Sequence, residues 1–158
     1  MSAPAAGRVV ALDLGTRRIG VAVTDSARSF ALAREAFRRT GDVVRDRRLL
    51  AELVVEAEAT VVVVGLPLSL DGSRGAAARG AEDEAALLAD ALGELAGESA
   101  PPVELFDERL TTVSAANELA AAGRGSRERR ALVDSAAAAV LLEAWLDRHR
   151  SPGPAGGH

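Results

Sequence analysis

The sequence predicts an α/β domain with a mixed five-stranded sheet flanked by helices, in the order β-β-β-α-β-α-β-α-α. Three observations carry that expectation. Residues 8–14 and 19–24 are short apolar runs separated by GTRR, the pattern of a hairpin. Residues 60–64 are an unbroken β-branched run closed by Gly-Leu-Pro, as expected of a central strand covered on both faces. Beyond it, segments with helical spacing alternate with short strands.

In chain order, residues 8–14 form the first strand. GTRR turns, and 19–24 return antiparallel, with Ile19, Val21 and Val23 alternating against small residues. Residues 30–38 complete a three-stranded meander. Residues 42–57 place Val43, Leu49, Leu50, Leu53 and Val54 at helical spacing. The strand at 60–64 follows, then a turn at Asp71-Gly72. A helix over 75–96 has an acidic outer face, and Pro101-Pro102 breaks the chain before a strand at 103–106. Helices are expected over 111–122, stopped by Gly123, and within 126–148. This is the element order of a ribonuclease-H-like domain. It occupies residues 8–148 as one unit between Pro/Gly/Ala-rich tails at 1–7 and 149–158.

Composition excludes several chemistries. The 158 residues contain no cysteine, so thiol catalysis and zinc–thiolate sites are out. All 19 basic residues are arginine, which excludes a P-loop lysine or a Schiff base. The only histidines, His149 and His158, lie near the C-terminus, away from any motif. No apolar run approaches the ~20 residues that span a bilayer, and MSAPAAGR lacks signal-peptide regions, so a cytoplasmic protein without a membrane role is expected. Net charge is −4, but it is unevenly spread. Residues 82–108 hold nine acids and no base. Residues 28–48 hold seven arginines against three acids, and GRGSRERR (123–130) four against one. Such separation suits a polyanion on one side, although solvated helix faces account for charge blocks as well.

Three acids stand at the ends of apolar runs. Asp13 closes VVALDLGT and shares a strand face with Val9 and Ala11. Glu108 follows VELFD, with Asp107 as the alternative. Asp134 opens DSAAAAVLL, on one helical stripe with Ala137, Ala138, Leu141 and Trp145. Trp145 is read as core. Each acid also has a plainer reading: a turn aspartate at 13, a helix-start acid at 108, an N-cap at 134. Converging, they would form an oxygen-rich site suited to Mg²⁺ or Mn²⁺. Arg17, Arg18, Arg109, Arg127, Arg129 and Arg130 are placed to seat phosphates.

Four blocks in order, ALDLGTRRIGVAVTD (11–25), VVVGLPLSLDGS (62–73), LFDERLTT (105–112) and RERRALVDSAAAAVLLEAWL (127–146), resemble the YqgF family, also called RuvX, of Holliday-junction-resolvase-like proteins and pre-16S rRNA nucleases. The resemblance implies a ribonuclease-H-like fold and a bacterial cytoplasmic protein acting on the 5′ end of the 16S rRNA precursor. It implies divalent-metal phosphodiester hydrolysis at Asp13, Glu108 and Asp134. One departure is Glu82, Asp83 and Glu84, where relatives often carry basic residues.

The expected mechanism uses two ions about 3.5–4 Å apart, bridged by Asp13 and completed by Glu108 and Asp134. The expected partners are pre-rRNA and ribosomal precursor particles, bound by a monomer or homodimer. Structured DNA is the alternative, and a junction enzyme needs two active sites and hence a dimer. Two other readings compete. DLGTRRIGVAV resembles the phosphate hairpin of sugar kinases and actin, which would make a nucleotide-binding module. A metal-free RNA-binding assembly factor would bind RNA without cleaving it.

Overall fold

The structure, a computed structural model, describes residues 7–111 and 135–150. Strand β1 (Arg8–Leu14) turns through residues 15–17 into β2 (Arg18–Thr24). The turn is closed by the Gly15 amide donating to the Arg18 carbonyl at 3.0 Å. A Cβ on residue 15 would lie 2.5 Å from that oxygen, so the close approach that Gly15 allows is to its own hairpin. Strand β3 (Ala31–Arg38) begins one residue later than expected. Asp25 Oδ1 accepts from the Ser29 and Phe30 amides at 2.7 and 3.3 Å, which holds Phe30 in the preceding turn.

Helix α1 (Val43–Glu56) is capped by Asp42, whose carboxylate accepts from the Arg45 amide at 3.0 Å. Strand β4 (Ala59–Leu66), helix α2 (Ala76–Ala96) and strand β5 (Val103–Asp107) follow, and β5 runs straight into a 3₁₀ turn, Glu108–Leu110. Helix α3 (Ala136–His149) ends the described chain. The helix expected over 111–122 and the first part of the 126–148 stretch lie outside the described residues.

The sheet order is β3-β2-β1-β4-β5. β1, β2 and β3 form an antiparallel meander, while β4 and β5 run parallel to β1. Helices cover both faces. Val9, Ala11, Ala22, Val63 and Phe106 pack on α3 through Ala137, Ala138, Leu141 and Trp145. Val10, Leu12, Ile19, Val62 and Val64 pack on α1 and α2 through Leu50, Val54, Leu88 and Leu92. Each fully buried Leu, Ile or Val is worth roughly 1.5–3 kcal/mol over an exposed one. Two-sided cover is why the β4 sequence shows no alternation.

Ala137 and Ala138 are fully buried, so the α3 backbone lies close to the sheet. Trp145 is core, as its position on the stripe predicts. Its indole N–H donates to Glu104 at 3.1 Å, and the Arg28 guanidinium sits 5.5 Å from its ring. His149 lies within α3 and stacks on Trp145 with ring centroids 4.0 Å apart.

Candidate active site

β1 is the middle strand, and it carries Asp13 to the end of the sheet where parallel strands expose their carboxyl termini. Asp13 is opposite Gly20 in the β1–β2 register. On the other side Leu12 pairs with Val64, so the next step along both strands brings Gly65 beside Asp13. The aspartate is therefore flanked by two residues without side chains. Phe106 pairs with Gly65, and two residues later the 3₁₀ turn brings Glu108 back over that glycine. A Cβ on residue 65 would lie 2.5 Å from Glu108 Oε2 and 3.2 Å from its Cδ and Cγ. The Glu108 carboxylate thus occupies the space a larger residue at 65 would fill.

Phe106 lies on the sheet face of Val9, Ala11 and Val63, the face that Asp13 and Gly65 continue, and the Glu108 carboxylate meets it at Gly65. Burial raises the Glu108 pKa first, the negative charge of Asp13 adds to it, and that of Asp107 adds further, to about 7. Two half-buried acids close enough to repel one another are what this end of the sheet supplies. Asp107 is committed elsewhere. The Arg109 side chain donates to it at 2.6, 3.0 and 3.1 Å, and the Arg109 amide at 2.9 Å. Those hydrogen bonds hold the Asp107 pKa below the usual carboxylate value. Arg109 also donates to the Leu70 carbonyl at 3.3 Å. It lies against Gly72, whose φ is +88° and whose Cβ position would be 3.1 Å from the guanidinium. Arg109 therefore ties the 67–75 loop to the strand end, with its guanidinium spent on Asp107 and the Leu70 carbonyl.

A cleft of about 840 Å³ opens over this pair, lined among others by Asp13, Glu108, Arg17, Arg18, Arg39 and Pro67. Arg39 donates to the Gly15 carbonyl at 2.8 Å and to both oxygens of Glu84 at 2.8 and 3.1 Å. One acid of the negative α2 face is thereby neutralised where it meets the cleft. Glu82 is paired with Arg74.

Asp134, Arg127, Arg129 and Arg130 lie outside the described residues. Ser135, the next residue after Asp134, is fully buried and its hydroxyl accepts from the Val21 amide at 3.1 Å. The start of α3 is thus fixed to β2 one residue from Gly20. Among the described residues no group of three metal-ligating side chains occurs, and none of the helices is long and apolar enough to cross a membrane. The sequence marks Glu84 only as part of an acidic helix face and Gly65 only as the end of a strand, and it gives Gly20 and Arg39 no role. A glycine ending a β-branched run beside a strand-end acid is a legible mark of close approach at position 65; the Arg39–Glu84 pair spans 45 residues and leaves no local mark.

The profile of the family described as "RuvX: Holliday junction resolvase" matches residues 7–148. The chain belongs to the RuvX family. A "Putative pre-16S rRNA nuclease" of Mycobacterium leprae is 45% identical over 152 residues, covering 96% of this chain and 79% of that one. One of Anaeromyxobacter dehalogenans is 44% identical over 145 residues, covering 92% and 99%. RuvX proteins are nucleases, and this chain is a hydrolase of phosphodiester bonds. Thermus thermophilus RuvC, solved with a Holliday junction substrate, superposes with a TM-score of 0.55 at 16% identity, covering 90% of this chain and 96% of that one. That likeness gives the fold, which is ribonuclease-H-like.

Proposed function

We propose that this RuvX protein is a divalent-metal-dependent nuclease that trims the 5′ end of pre-16S rRNA in cytoplasmic ribosomal precursor particles. Residues 8–148 act as the single nuclease domain, with tails on either side. The observation that carries the metal reading is the Asp13–Glu108 pair. An all-oxygen donor set fits a hard cation such as Mg²⁺ or Mn²⁺. Burial and then the Asp13 charge raise the Glu108 pKa, and positive charge between the two acids relieves both costs. Asp13, Glu108 and Asp134 would hold the metal, two ions in the fullest form. The bound metal would supply Lewis acidity and lower the pKa of water. The rest falls to the chain. Gly20 leaves room for a phosphodiester beside Asp13, and Gly65 lets the Glu108 carboxylate close on it from the other side. Arg17 and Arg18 at the hairpin tip, with Arg127, Arg129 and Arg130, bind its oxygens and position the strand without reading sequence. Pre-rRNA as substrate rests on the names of relatives 42–47% identical.

The test compares Asp13→Asn with wild type on a labelled pre-16S 5′ fragment in Mg²⁺. Loss of cleavage at unchanged thermal stability is expected; retained cleavage would refute the proposal. Four-way DNA junctions are the second reading, favoured by the family's description. Matched RNA and junction substrates, with the mass in solution to separate monomer from dimer, divide the two.

A further inference from the structure

The cleft over Asp13 does not end at the hairpin tip. A second groove of about 820 Å³ shares Thr16, Arg17, Arg18, Arg39, Gly80 and Glu84 with it and continues between the β2–β3 edge, α1 and α2. Three features of this groove point to an anion. Strand pairing sets Arg38 directly opposite Arg18, so the sheet brings two guanidinium side chains to one end of the groove. Arg38 and Arg47 line the groove and have no ion-pair partner among the described residues. Finally, most of its acids are already satisfied. Asp46 is buried and accepts from the Thr40 amide and hydroxyl and the Gly41 amide at 2.6–3.4 Å, and Glu84 is held by Arg39. The lining as a whole holds Arg17, Arg18, Arg38, Arg39 and Arg47 against Asp46, Asp83 and Glu84, so the groove is net positive in a chain whose net charge is −4.

We propose that this groove, centred on Arg38 and Arg47, binds the phosphodiester backbone of the substrate several nucleotides away from the bond that is cut. The inference rests on the nuclease reading for its polarity: a strand whose reacting phosphate lies at Asp13 and Glu108 passes Arg17 and Arg18 and runs on into the groove. It makes the enzyme one that prefers long substrates to short ones. Guanidinium groups on a strand edge and a helix present no fixed donor pattern to base edges, so the groove supplies affinity and direction rather than sequence choice.

The test is binding, which needs no cleavage. Fluorescence anisotropy in Ca²⁺ is measured for labelled RNA of 4 and 24 nucleotides, and for a hairpin of the same composition, with wild type and with Arg38→Gln/Arg47→Gln. Losing two phosphate contacts predicts about tenfold weaker binding of the 24-mer near 0.1 M salt. The salt dependence of log K should become shallower by about 1.4, at ~0.7 per contact on a single strand. The 4-mer should change less than twofold. A greater loss on the single strand than on the hairpin assigns the groove to the cut strand, and the reverse assigns it to the complementary strand; either supports the proposal. Equal binding of the 24-mer and the hairpin by wild type and a folded double variant overturns it. So does tighter binding of poly-glutamate than of RNA through the same arginines. Wild-type RNA affinity with no cleavage by any preparation would remove the nuclease reading and leave the groove standing.

Discussion

Gly65→Ala isolates the geometry on which the candidate site depends. The added methyl would lie 2.5 Å from Glu108 Oε2, and ordinary contact begins near 3.4 Å, so the carboxylate must retreat by about 0.9 Å. It is the end of a flexible side chain, and Gly65 does not sit at positive φ, so the backbone accepts alanine without strain. Alanine there even gains about 0.4–1 kcal/mol through the unfolded chain, which offsets the local crowding. Stability should therefore change by less than about 1 kcal/mol. Catalysis should not be spared, because displacing a reacting group by ~1 Å costs on the order of 100-fold. We expect kcat/KM for Mg²⁺-dependent cleavage to fall 30- to 100-fold, about 2–2.7 kcal/mol of transition-state stabilisation. The assay is single-turnover cleavage of an end-labelled pre-16S fragment beside a thermal melt. Gly93→Ala is the control: it lies in α2 with open space around the added methyl, and should be slightly stabilising and fully active. Wild-type kcat/KM in a folded Gly65→Ala protein would show that the Glu108 position does not matter to the chemistry.

Four further outcomes are expected. In the metal-free protein Glu108 holds its proton more tightly folded, near 7, than unfolded, near 4.5, so its contribution to stability is full below 4.5 and is lost as pH rises to about 7. Glu108→Gln should flatten that part of the melting-temperature profile. Mn²⁺ at about 100 times its Kd should raise stability by roughly 2.7 kcal/mol, an effect EDTA reverses and Asp13→Asn abolishes, as read by thermal shift. Arg109→Ala frees the Asp107 charge and unties the Leu70 carbonyl; the Glu108 titration should move further up in carboxylate NMR, and cleavage should slow about tenfold. Trp145→Phe loses the bond to Glu104 and part of a buried ring, at a cost of about 1–2 kcal/mol in urea unfolding with kcat unchanged.

The sheet was readable because its strands carry their own signals. β1 matches its apolar run residue for residue, and Pro101-Pro102 marks the entry to β5. β4 runs beyond its β-branched run at both ends, over Ala59–Leu66, and at the start of β3 a side chain intervenes: Asp25 holds Phe30 back, and no propensity at Phe30 itself says so. Asp13 and Glu108 could be picked as strand-end acids, but not the choice of Glu108 over Asp107. That depends on Arg109 folding back onto Asp107 and on the turn that begins at residue 108, both set by tertiary packing. Gly65 was visible as a strand exit and not as a seat for a carboxylate, since its partner lies 43 positions later in the turn after another strand. Asp134 and the arginines before it lie outside the described residues.

The two acids are anchored unequally. Asp13 sits on a strand hydrogen-bonded on both sides, so its backbone cannot shift without breaking two ladders. Glu108 hangs from a single turn at the rim of an edge strand, its carbonyl accepting from the Thr111 amide and hydroxyl at 3.1 and 2.8 Å. One jaw of the site is therefore an anvil and the other a hinge. Adaptation to a bulky or bent nucleic acid falls on the hinge side, and mutations that tune substrate choice without loss of folding should gather around β5 rather than β1.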